Sequence, residues 1–137
     1  MKLIVSLLLV ICLLPAPGHS AGINDLPTAY DVVMLAGADY QLDVKHVDPA
    51  GAVVNLTGST FVSQFWSAPA PAGTVFATYS TPIVSAVAGT SRVKLSKAQT
   101  TALSGRSGVW DLLWTDATGR ATFLLSGKAA VRPTVSR

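Results

Sequence analysis

From residue 30 onward, apolar and polar positions alternate with a period of two. Residues 40–46 (YQLDVKH) put Tyr40, Leu42 and Val44 on one side and Gln41, Asp43 and Lys45 on the other. That is the pattern of a strand with one buried and one wet face. Asp48-Pro49-Ala50-Gly51 closes it as a type I turn, with Asp at the first position, Pro at the second and Gly at the fourth. Residues 52–56 are expected as the return strand, stopped by Thr57-Gly58. Residues 60–67 (TFVSQFWS) form the next strand, rich in aromatic and β-branched side chains. The cluster at 68–73 (APAPAG) must be a loop.

Residues 74–81 and 83–87 read as strands divided by Pro82, which points to an edge or a bend. Residues 92–95 (RVKL) form a short strand, and 108–115 (GVWDLLWT) carry Trp110, Leu112 and Trp114 on one face. Asp116-Ala117-Thr118-Gly119 repeats the Asp-x-x-Gly turn, and strands at 120–126 and 128–131 finish the chain before Pro133. One helical turn interrupts the series. Ser96-Lys97-Ala98-Gln99 is a capping box, the helix continues through residues 100–103, and Gly105 ends it. Seven to nine short strands, with turns every 8–12 residues, predict an all-β fold. It is an immunoglobulin-like antiparallel β-sandwich with one short helical turn.

The N-terminus departs from this pattern. Residues 1–21 (MKLIVSLLLVICLLPAPGHSA) hold Lys2, an apolar run of twelve residues at 3–14, a Pro/Gly break, and small residues that permit cleavage after Ser20 or Ala21. This is the layout of a secretory signal peptide. A helix of that run spans about 18 Å against a bilayer core of about 30 Å, so no permanent membrane span is expected. If retained, the segment becomes an assembly arm inserted into a neighbouring subunit. Cys12 reads as a hydrophobe within the run. The organisation is thus a signal-like segment or arm at 1–21 and one sandwich domain at 22–137.

Composition sharpens the picture. In 137 residues, 50% are hydrophobic and only 12% charged, and all seven acidic residues are Asp. The lack of Glu, a good helix former, argues against a helical bundle. A single Cys excludes an internal disulfide framework. The net charge of +3 comes from scattered Lys and Arg, not from a cluster, so no nucleic-acid partner is expected.

Candidate chemistry is sparse. His19, His46 and Cys12 lack metal-ligand spacing, and His46 reads as a strand-end residue at the core boundary. Asp48 and Asp116 are explained by turns, Asp39 and Asp43 by a solvated strand, and Asp25 by the leader junction. Asp111 sits between hydrophobes and must face water or accept hydrogen bonds. It is expected on the face opposite Trp110 and Trp114, which fill the core. Trp66, beside the Pro-rich loop, is open between core and a carbohydrate platform. Asn55-Leu56-Thr57 is a formal glycosylation sequon. No hydrolase, phosphate-loop or dinucleotide motif occurs. No catalytic, cofactor-binding or metal residue is assigned, no cofactor is expected, and the chain reads as a non-enzyme.

The order of elements resembles the small immunoglobulin-like proteins of tailed phages and is similar to the N-terminal domain of phage baseplate upper proteins. Leu56-Thr57-Gly58, Leu95-Ser96 with Gln99-Thr100 and Leu103, Trp110-Asp111-Leu112, Asp116 to Gly119, Gly127 and Thr134-Val135-Ser136-Arg137 carry the resemblance across about residues 30–137. Ala36-Gly37-Ala38-Asp39 departs from the family's charged residue before Gly, and the leader is foreign to a virion protein assembled in the cytoplasm. The resemblance implies a virion structural protein of the tail, baseplate or head–tail region. Its partners would be other virion structural proteins in a symmetric oligomeric assembly, and it transfers no catalytic residues. The leader implies the alternative, a periplasmic or secreted immunoglobulin-like adhesin or carbohydrate-binding module.

Overall fold

The computed structural model describes residues 9–12, by their backbone, and 26–134. Ten strands and one helix follow in order: β1 (Leu9–Cys12), β2 (Thr28–Ala29), β3 (Val32–Leu35), β4 (Tyr40–Val47), β5 (Thr60–Trp66), β6 (Val75–Thr78), β7 (Ile83–Ser85), β8 (Thr90–Leu95), α1 (Lys97–Ala102), β9 (Ser107–Thr115) and β10 (Ala121–Arg132). They form two sheets, a four-stranded one ordered β1-β4-β8-β7 and a six-stranded one ordered β2-β10-β9-β5-β6, with β3 also on β10. The chain is a β-sandwich. Its central ladders, β4–β8, β5–β9 and β9–β10, are antiparallel, while β1, β2 and β3 each join by parallel pairing.

The core lies between the sheets. Leu42, Val44, Val93 and Leu95 from one sheet meet Phe61, Phe65, Trp110, Leu112 and Leu125 from the other, all buried. Trp110 is 2% exposed and Leu112 is fully covered, as the alternation in β9 requires. Trp114, on the same face, is partly buried against the core. The Trp110 indole N–H donates to the Tyr30 carbonyl at 2.7 Å, so its one polar atom is satisfied on burial. Tyr30 lies at the break between β2 and β3, which run in succession along one edge of β10. A Cβ at position 127 would collide with that same Tyr30 carbonyl, so Gly127 lets the two segments approach.

Local chemistry fixes the turns. Asp48 Oδ1 accepts from the N–H groups of Ala50 and Ala52, and Asp116 Oδ1 from those of Thr118 and Arg120, each with a left-handed Gly closing the turn. Ser96 caps α1 in a complete capping box, its hydroxyl accepting from Gln99 N–H at 3.3 Å. Asp39 reaches the same helix end, accepting from Lys97 N–H at 2.7 Å. Asp39 is therefore a cap, not simply a solvated strand residue.

Three further expectations change. Residues 52–56 form no strand and pair with β4 at an isolated bridge between Val47 and Val53. The strands expected at 120–126 and 128–131 are one continuous β10, because Gly127 remains paired with Trp110. His46 is not at the core boundary but fully buried: its Nε2 meets Ser91 Oγ at 2.8 Å and its ring lies 5.0 Å from that of Phe61.

Candidate functional site

The outer face of the six-stranded sheet is built in rows by the register of β5, β9 and β10. Val62, Leu113 and Phe123 make one row, Gln64, Asp111 and Ser126 the next, and Trp66, Val109 and Lys128 the third. An apolar row and a row ending in an aromatic thus flank a polar one. These residues, with Ala29, Asp31, Pro69 and Ala70, line an open groove of about 660 Å³. That volume is in the range of small-ligand and side-chain pockets.

A β-bulge shapes the first row. The register between β9 and β10 shifts between Phe123 and Leu125, so Leu124 and Leu125 are both buried and Phe123 turns outward, 49% exposed. Unbroken alternation from Leu125 would have buried Phe123; the bulge re-aims it into the groove. Val62 is likewise 47% exposed. Open faces of antiparallel sheets ordinarily carry polar side chains, so this row is the anomaly that marks the site.

Asp111 lies in the polar row, on the face opposite Trp110 as its alternation requires, but half-buried and not freely solvated. Burial raises its carboxyl above the usual carboxylate range, with the Gln64 backbone N–H working against the shift. Among the described residues the ion pair formed is Arg92 with Asp43, bidentate at 2.6 and 3.1 Å on the other sheet; Asp111 has no cationic partner. At the rim, Asp31 Oδ1 accepts from the Lys128 backbone N–H at 2.8 Å and so stitches the β2–β3 break to β10.

The structure brings Asp111 and Trp66 together and leaves the other candidates apart. Trp66 lines the groove, half-buried. His46 is in the core, where burial lowers its imidazole to about 4, which keeps it neutral. Asn55 is engaged by its own sequon, its Oδ1 accepting from Thr57 N–H at 2.9 Å and Thr57 Oγ1 at 2.7 Å. His19 and Asp25 lie outside the described residues, and Cys12 is placed by its backbone in β1. Sequence reasoning missed Val62, Leu113 and Phe123 as a surface row, and Asp31 and Lys128 as its rim. Strand alternation could have placed Val62 and Leu113 outward; no sequence signal marks the bulge that exposes Phe123.

Among the described residues, no three His, Cys or Asp side chains gather as a metal site requires, and no helix is long and apolar enough to cross a membrane. No protein-family model matches the chain, and no curated protein matches it.

Proposed function

We propose that this chain is a structural protein of a tailed-phage virion, in the tail, baseplate or head–tail region, and that it works by docking to neighbouring proteins without turnover. The observation that carries this reading is the apolar row Val62–Leu113–Phe123 on a sheet face that water would otherwise favour as polar. A rigid sandwich with such a face suits burial against a partner. The sequence order of turns, cap and closing strand, with its resemblance to phage baseplate upper proteins, supports the same reading. In a symmetric ring, several such contacts of modest strength add through avidity.

A second reading rests on the leader and on Trp66: an exported adhesin or carbohydrate-binding module, released after cleavage near residue 21. Peptide mass mapping of purified tailed particles from the producing cells separates the two. The virion reading expects the chain within the particles, at a fixed ratio to other tail proteins. A chain absent from particles and recovered outside the cytoplasm with a new N-terminus at Ala21 or Gly22 would overturn it.

A further inference from the structure

The groove has a charge character opposite to that of the chain. The protein carries a net charge of +3, yet the ionisable groups that line the groove are two carboxylates, Asp31 and Asp111, and one ammonium, Lys128. The Asp31 carboxylate already accepts a backbone N–H at the rim. Asp111, between two rows that are largely apolar, forms no ion pair among the described residues, although Lys128 stands in the adjoining row of the same groove. With two carboxylates to one ammonium, the groove keeps one negative charge in excess, and the partly dehydrated Asp111 carboxylate has a cost that a ligand's cation can offset. An apolar row and an unpaired carboxylate in the next row select a ligand that is itself apolar with a positive charge attached.

We propose that the groove over β5, β9 and β10 receives a partner-protein segment that presents an aliphatic or aromatic side chain next to a Lys or Arg. The apolar group covers Val62, Leu113 and Phe123, and the cation pairs with Asp111. This deepens the docking role proposed above and rests on it for the source of the segment. A saccharide stacked on Trp66 is the competing occupant. It would use Trp66 and Gln64, would leave the apolar row uncovered, and would gain nothing from the excess negative charge.

Small probes separate these occupants on the full chain. Phenethylammonium, 3-phenylpropionate and methyl glucoside are titrated separately, with the backbone amides of residues 62, 111, 113 and 123 and the Trp66 indole N–H followed by NMR. The phenethylammonium ion is expected to bind with a dissociation constant on the order of millimolar, as suits so few atoms, and at least about tenfold more tightly than phenylpropionate. Asp111→Asn is expected to abolish that preference while leaving spectra of the opposite sheet unchanged. Leu113→Gln is expected to weaken both aromatic probes together. Equal binding of the two ions, or a preference that survives Asp111→Asn, would overturn the proposal. So would methyl glucoside shifting the Trp66 indole while the amine shifts nothing. Failure here is distinct from failure of the virion reading: a chain present in particles with a groove blind to charge refutes only the occupant. A charge-selective groove on a chain absent from particles refutes only the virion.

Discussion

Trp110, His46 and Asp111 bear on stability through burial, hydrogen bonding and charge. Trp110 is covered on all sides and bonded through its indole N–H, with Tyr30 and Tyr79 set edge-on at 6.3 and 6.0 Å. Trp110→Ala should cost about 3–5 kcal/mol, since it opens a cavity and orphans the Tyr30 carbonyl; chemical denaturation measures this. His46 stays neutral in the fold, with its pKa lowered from 6.5 to about 4. Between those values the unfolded chain binds a proton that the native state does not, so stability is full above pH 6.5 and falls as pH drops toward 4. The loss from this group is up to about 3 kcal/mol. His46→Gln should remove that component from the pH dependence of the melting temperature, even if it lowers the plateau. Asp111 has the reverse sign: its pKa is raised from 3.8, so stability is full below that value, is lost as pH rises through the raised pKa, and the carboxylate is a cost at neutral pH. Asp111→Asn should therefore melt higher than wild type at neutral pH, the mark of a residue kept for binding over stability; calorimetry decides it.

At the scale of elements, legibility followed how local each signal was. The capping box at Ser96 and the turns at Asp48 and Asp116 are closed by atoms within four residues, and all three stand in the structure. Ser96→Ala should cost about 0.5–2 kcal/mol in denaturant unfolding without altering the sheets, because the Gln99 N–H loses its side-chain acceptor while Asp39 still holds that of Lys97. Residues 52–56 had strand-like composition but hold to β4 at a single bridge, and the fully buried Leu56 donates its N–H to the Ala86 carbonyl, outside any strand. Composition cannot report whether an edge is available to pair. The join at Gly127 read as a break for a related reason: its glycine serves an approach by Tyr30, 97 residues earlier in the chain, and not a turn. The candidate site was half legible. Asp111 and Trp66 stood out as a charge among hydrophobes and an aromatic beside a loop. The rows that join them depend on a register between three strands and on a bulge at Leu124.

The whole molecule is a two-sheet sandwich whose inner faces make one core and whose larger sheet keeps an apolar groove on its outside. Nothing within the described residues covers that groove, so the exposed half of its apolar row leaves water only when another surface meets it. If this meeting is how the protein works, its incorporation into particles depends on the apolar row. Tailed particles would be assembled with wild-type chain or with Leu113→Ser/Phe123→Ser, after melting curves show that the variant is folded, and the copies per particle counted by mass spectrometry. The folded variant is expected to be incorporated at least about tenfold less, the loss of a docking centre worth more than about 1.4 kcal/mol. Equal incorporation of a folded variant would contradict it.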